Sequence, residues 1–304
     1  MTLPDDGPTQ PWSAALGRRA AVIAAVSAPL VVGLSPAGMP SAAAASPAGQ
    51  PSRQPSRRVP RGYAAVDPRT ARRVPLTQSL RNGVPLYPGD PDFTWDIAVD
   101  TRTPAHDDGG YLLEHITSLG THTASHISAP VHFIIGGKTL ADLGEQFALM
   151  PLAVVDVRAR ITTDGPDFEV ETADLTRWER RFGRIPEGGC VLLLTGYAAL
   201  AAQGAGSESP YVTTSAPGFS GAAVDWLFRS RGVIAVGSDT LGPDATEDAT
   251  LRATTTALLH GGITVENVGV GLASMRPHGD WIAVNGNRPA FSGFQVGITG
   301  FTRG

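Results

Sequence analysis

Gly120-Thr121-His122-Thr123-Ala124-Ser125-His126-Ile127-Ser128-Ala129-Pro130-Val131-His132-Phe133 places three of the chain's seven histidines within one short stretch, at spacings of four and six. Imidazole titrates nearer neutrality than any other unperturbed side chain and is a common metal ligand. Three this close mark a site for a metal or for proton transfer, or else singly hydrogen-bonded histidines on a loop. Spacing alone leaves both readings open. Thr121, Ala124, Ser125, Ser128 and Ala129 are small and leave room around the rings, as a pocket floor would. Pro130 fixes the backbone ahead of the third histidine.

Outward from this stretch, short elements alternate. Phe93 to Val99 and Tyr111 to Ser118 read as strands joined through the turn Asp107-Asp108-Gly109-Gly110. The second of these strands delivers the chain to the histidines. Leu149 to Val157 is a buried strand, and Cys190 to Thr195 is apolar on both faces, as in a sheet covered on both sides. Between them Glu171 to Phe182 has helical spacing, with Thr172 as the expected cap and Asp174 in its first turn. Ser220 to Arg231 reads as a helix with apolar Ala223, Trp226 and Leu227, leading into a strand from Val233 to Val236. Thr254 to His260 is helical and ends at Gly261-Gly262; Ile263 to Val270 is a further strand. Asn285-Gly286-Asn287 reads as a hairpin turn, with Ala290-Phe291 to Phe301 returning as a strand. Alternation of this kind indicates one α/β domain over residues 75–304. Trp95 and Trp226 are expected in its core.

Composition bounds the rest. The 304 residues are 42% hydrophobic and 17% charged, enough for a sizeable core, and 36 glycines and 25 prolines suit many short strands and turns. The net charge of −4 hides an asymmetry: residues 1–74 hold nine Arg and three acids, leaving 15 basic and 25 acidic residues in the remainder. A body that acidic is a poor nucleic-acid binder. Cys190 is the single cysteine, which excludes an intrachain disulfide, and its apolar neighbours make it a small buried hydrophobe. Residues 1–45 read as an export signal: Arg18-Arg19 precede the apolar run Ala20 to Leu34, and Ser41 to Ala45 are small. The run is short for a membrane span, which needs roughly 20 residues. The arginine pair resembles a twin-arginine signal, although the residues after it depart from the usual consensus, and the protein is expected outside the cytoplasm. Residues 46–74, Pro, Ser, Arg and Ala, read as a disordered basic linker.

The histidine stretch and its flanks together resemble the cyclase family, the kynurenine-formamidase-like and isatin-hydrolase-like metal-dependent hydrolases. The family motif His-x-Gly-Thr-His-x-Asp-Ala-Pro-x-His-Phe stands here as His122 to Phe133. Further matches follow in order: Pro85 to Pro91, Leu193 to Tyr197, Pro217 to Ser220, Trp226-Leu227, Gly237 to Asp244 and Gly261 to Asn267. The resemblance implies a swivelling β/β/α fold. It also implies a divalent metal, zinc or manganese, with His122, His126 and Glu266 among its ligands and His132 as general acid/base. Two positions depart from the pattern: Ser128 replaces the motif aspartate, and Thr254 replaces a later histidine. Catalytic zinc commonly keeps three protein ligands and a water, so these departures remove charge and donors. His115, His260 or Glu114 would have to fold inward to restore them. Asp239 reads as a turn cap or as a carboxylate orienting a motif histidine, and Glu266 also fits a solvated or salt-bridged strand end.

Three functions follow from the resemblance and its departures. One is an exported hydrolase acting on an amide, lactone or ester of a small cyclic or aromatic substrate. Another is a metal-independent cyclase, isomerase or lyase that uses His122, His126 and His132. The third is a non-catalytic binding protein. Family analogy adds homo-oligomerisation as an expectation.

Overall fold

All five side chains of β7 (Cys190–Leu194) are buried. An unbroken apolar strand is stable only where both faces are covered, and this one lies at the middle of a nine-stranded sheet. The computed structural model describes residues 63, 67, 69–102 and 110–303. The export signal, most of the linker and the turn Asp107-Asp108-Gly109 lie outside the described residues.

β7 pairs in parallel with β5 (Leu149–Asp156) on one side and β9 (Ala235–Ser238) on the other, and β9 pairs in parallel with β10 (Ile263–Glu266). Antiparallel strands extend both flanks. β11 (His278–Asn285), β13 (Gly297–Thr302) and β1 (Arg72–Pro75) lie beyond β5, and β4 (His126–Ser128) and β12 (Gly293–Gln295) lie beyond β10. A Cβ at Gly237 would stand 1.9 Å from the Val265 carbonyl oxygen, so only glycine admits the close approach of β9 to β10.

Period-two alternation sends the side chains of these strands into two cores. Val191 and Leu193 meet the helices α2 (Thr172–Phe182), α4 (Gly221–Trp226) and α5 (Arg252–Leu259) through Leu175, Trp178, Ala223, Val224, Ala253 and Ala257. Leu192 and Leu194 face the other way, where Ile127, Phe147, Ile282 and Ile298 close a core inside the curled sheet. A Leu-to-Ala change at Leu192 or Leu193 is expected to cost about 2–5 kcal/mol. This is the β/β/α layering. The shorter helices α1 (Arg158–Asp164) and α3 (Pro210–Thr213) sit in the connections.

Several boundaries differ from the sequence reading. Glu171, not Thr172, caps α2, because the Asp174 carboxylate reaches back to the Glu171 N–H at 3.0 Å. The helix expected over Ser220 to Arg231 is α4, capped by the Ser220 hydroxyl, continued by a π turn over Leu227–Arg231. β9 starts at Ala235 rather than Val233, because its ladder begins where Ala235 meets Cys190. β10 stops at Glu266, where Asn267 turns the chain with φ 55°. Asn285-Gly286-Asn287 does not join two paired strands directly. Asn285 pairs with Gly297 instead, and residues 286–296 swing out so that β12 covers the free edge of β4. β2 (Thr94–Asp100) and β3 (Leu112–Ser118) form a separate antiparallel ribbon. Trp95 is 41% exposed on that ribbon, not in the core, and Trp226 is half-buried under the Arg231 guanidinium. Cys190 is fully buried, as expected.

Candidate active site

The register of β4 against β10 builds the floor of the site. Glu266 lies opposite His126 and Thr264 opposite Ser128, so these four polar side chains share one face, while Ile127 and Val265 point into the core. On that face the Glu266 carboxylate collects its neighbours. Thr264 Oγ1 donates to Oε1 at 2.5 Å, Ser128 Oγ donates to Oε1 at 3.2 Å, and His126 Nε2 stands 3.3 Å from Oε2. That last approach is within ion-pair distance but too poorly aligned for a hydrogen bond. The contact is electrostatic.

The proton positions follow from the partners. His126 Nδ1 is 2.9 Å from the Ala124 carbonyl, which can only accept, so Nδ1 carries a hydrogen. Burial works against a charged His126, but the adjacent Glu266 carboxylate outweighs it and raises the imidazole pKa. Glu266 answers in the opposite direction. Burial disfavours its charge, yet His126 and the hydroxyl and imidazole neighbours hold its pKa down to about 2. The two shifts are reciprocal: each group favours the charged form of the other.

His122 lies above this floor. Its Nδ1 is 3.2 Å from Ser128 Oγ and its Nε2 is 3.0 Å from Ser292 Oγ. Ser128 gives its one hydrogen to Glu266, so His122 Nδ1–H donates to Ser128 and the Ser292 hydroxyl donates to Nε2. The chain of hydrogen bonds therefore runs one way, from Ser292 to the carboxylate. A Cβ at Gly293 would stand 2.3 Å from the His122 ring, so the β12 backbone lies directly against it. Burial, then the charges of His126 and His132, push the His122 pKa down to about 3. His132 stacks on His122 with centroids 3.9 Å apart and 20° between planes, and meets the Phe133 ring edge-on at 4.7 Å. Its pKa is lowered, chiefly by the protein packed round it. Because His132 sits exposed at the cavity mouth, solvent screens part of that effect.

The three imidazoles open on a cavity of ≈ 230 Å³ whose other walls include Tyr87, Asp90, Leu241, Leu251 and Thr254. Asp90 Oδ2 is buried with no hydrogen-bond partner, and burial raises the pKa of this carboxyl. The sequence reading quoted Asp90 only as part of Pro85 to Pro91 and assigned it no role; an acid inside a turn-rich apolar run was the available signal. Ser292 was missed too, and no motif marks it.

The remaining expected residues have other duties. Thr254 lines the cavity, but its hydroxyl donates to Asp244 Oδ2, and Asp244 Oδ1 accepts the Ala253 and Thr254 N–H groups at 2.7 and 3.1 Å. Asp244 thus caps α5, with its pKa pushed up to about 6 by burial. Asp239 orients no histidine. Its carboxylate takes the Thr195 N–H, the Thr195 hydroxyl and the Gly196 N–H, fastening the loop after β7. His260 pairs with Asp225 at 2.8 Å, and Glu114 and His115 lie exposed on the ribbon, so none of the three restores the missing donors.

These residues do not fit the divalent metal that the family resemblance implies. Both ring nitrogens of His122 are already engaged by serine hydroxyls, so a metal could reach the ring only by displacing one of them. His126 Nε2 and Glu266 Oε2 make two donors, and no third joins them. Among the described residues no group of three His, Cys, Asp or Glu side chains is placed to hold a metal ion. No helix among them is long and apolar enough to cross a membrane.

Comparison with known proteins agrees with the fold and the motif. A kynurenine formamidase of Bacillus cereus is 27% identical over 200 residues, 66% of this chain and 83% of that protein. Isatin hydrolase A from Ralstonia solanacearum superimposes with a TM-score of 0.65 at 23% identity, over 77% of this chain and 92% of that one. The "predicted metal-dependent hydrolase" of Bacillus stearothermophilus gives a TM-score of 0.54 at 17% identity, over 77% and 99%. The two named enzymes are hydrolases of amide bonds. The family model described as "Putative cyclase" matches residues 74–245, more than half of the chain and the whole of the histidine stretch, so the protein belongs to the cyclase family.

Proposed function

We propose that this protein hydrolyses an amide, lactone or ester bond of a small cyclic or aromatic substrate, with His132 as the proton carrier. The observation that carries the reading is the contrast among the three imidazoles at one cavity. His126 is tied to Ala124 and Glu266 and His122 to Ser128 and Ser292, while among the described residues the His132 ring meets the His122 and Phe133 rings and has no hydrogen-bond partner. An imidazole at the cavity mouth with a lowered pKa is neutral at pH 7 and able to accept a proton. His132 would take a proton from the water that attacks the carbonyl and return it to the departing nitrogen or oxygen. The buried His126–Glu266 pair gives the floor a fixed dipole, which costs no reorganisation when charge develops on the carbonyl oxygen.

An amide is favoured over an ester. The similarity to a kynurenine formamidase and an isatin hydrolase supports this choice. The small volume and the Tyr87, Phe133, Leu241 and Leu251 walls suit a flat ring system. Export through residues 1–45 and a homo-oligomeric state belong to the proposal, supported by the Arg18-Arg19 run and by family analogy.

N-formylkynurenine, isatin and a matched aryl ester test it, with product mass as the readout. Isatin is expected to give one ring-opened product heavier by one water, and N-formylkynurenine or the ester two products whose masses sum to substrate plus water, all lost in His132→Ala. Full activity in that variant would sink the role of His132. A product of unchanged mass would instead point to an isomerase or cyclase on the same histidines, and binding without turnover to a binding protein.

A further inference from the structure

We propose that this chain has closed the divalent-metal site of its family, and that Ser128 and Ser292 hold His122 in a fixed tautomer where a metal would have held it. The inference rests on the family assignment and not on the hydrolytic reading. Its starting point is the order of the hydrogen bonds. Glu266 can only accept, so Ser128 donates to it at 3.2 Å and must accept from His122 Nδ1. That fixes His122 as the Nδ1–H tautomer and leaves the Nε2 lone pair to the Ser292 hydroxyl at 3.0 Å. A metal taking that lone pair would have to displace the Ser292 hydroxyl.

Counting donors and charge gives the same result. Glu266 and His126 Nε2 remain as a pair, short of the three protein ligands that a zinc site commonly keeps. The motif carboxylate is a serine hydroxyl, neutral and already engaged. A divalent ion would then face one engaged carboxylate and keep an uncompensated positive charge in a buried place, which is costly. Thr254 at the other family position has turned to Asp244 and serves the start of α5. Asp90 is the cavity carboxylate with an unpartnered oxygen, which is buried, and among the described residues it is not grouped with two further donors.

The clasp comes from strand register. Ser292 and Gly293 reach His122 because β12 pairs with β4 through Gly293 opposite Ser128. The same pairing sets the Ser292 hydroxyl on His122 Nε2, the ring nitrogen that Ser128 does not face.

Zinc and manganese titrations of the full-length protein test this, monitored by calorimetry and by elemental analysis after dialysis. Wild type is expected to retain far less than one metal per chain. Ser128→Asp combined with Thr254→His should bind zinc more than about 100-fold tighter, the scale on which ligand-sphere changes act. If that variant fails to fold by circular dichroism, nitrogen-15 NMR of wild-type histidines decides. His122 should show the Nδ1–H tautomer, unmoved by stoichiometric zinc. One tightly held metal per wild-type chain, or a His122 signal that shifts on adding zinc, would overturn the proposal. Loss of such a metal in Asp90→Asn would name Asp90 as the replacement ligand.

Discussion

The floor and the mouth of the cavity use the same residue type in opposite ways. On the floor, His126 is buried, its Nδ1–H is spent on a carbonyl, and Glu266 draws it toward the charged form. At the mouth, His132 lies above neutral His122 with no carboxylate in contact, and its surroundings favour the uncharged ring. Six residues of sequence separate them. What divides their roles is their place relative to one acid, Glu266, which β10 delivers directly opposite His126, at 3.3 Å, while at His132 burial outweighs its pull. A charge is held below and a base is kept ready above.

The largest test of this division is His132→Ala. It is expected to lower kcat/KM by about 10²–10⁴, the range of a general acid/base, with little change in melting temperature. A large stability loss in that variant would merge mouth with floor. Glu266→Ala should act the other way round, by stranding the buried His126. Removing one partner of a buried pair costs about 3–5 kcal/mol, readable from urea unfolding. A neutral result there would break the comparison.

Acid sharpens it. The folded-state pKa values of His122, about 3, and Glu266, about 2, both lie below their ordinary values of 6.5 and 4.5. The stability tied to His122 is complete above pH 6.5 and lost as pH falls toward 3; that tied to Glu266 is complete above 4.5 and lost toward 2. His126, raised, has the reverse sense: its contribution is complete below 6.5 and fades as pH rises through its elevated pKa. Stability should therefore peak between these limits and fall on acidification, while the acid limb of kcat/KM, set by His132, lies below 6.5. An acid limb above 6.5 would contradict the lowered pKa of His132. The smallest effect concerns Ala124, which holds φ 56° between the first two histidines. Ala124→Gly should stabilise by about 0.5–1 kcal/mol, because a Cβ is strained in that region. A loss of stability would show that packing of the Ala124 methyl outweighs the strain.

How much of this could be read beforehand depended on whether the determinant was local. The apolar run at Cys190 and the spacing of His122, His126 and His132 are local, and both led to the right element and the right cavity. The Ala124 backbone was not read from the sequence, where Ala124 stood only as a small residue; its φ of 56° suits the glycine that the family motif has there. Glu266 was found only through its distance in the family pattern, and its pairing with His126 needed the register of β10 against β4. Of the two readings open for Asp239, the turn cap is the one present, at Thr195-Gly196, and the Asp244 partner of Thr254 had no signal in the sequence. Trp95 was assigned to the core on hydrophobicity alone, though a two-stranded ribbon has one face it cannot bury by itself. Ser292 and Gly293 carry no motif, and their importance arises from a pairing across some 170 positions.

That pairing has a consequence for how the molecule comes into being. β4 is laid down early, yet its outer edge and His122 find their last partners only when residues 292–295 have been synthesised. β1 likewise waits for β13, through Val74 opposite Gly300. Contacts so distant along the chain are entropically slow to close. A nascent chain holding every family motif would still lack its clasp, so the order of synthesis itself delays the moment at which the site is assembled.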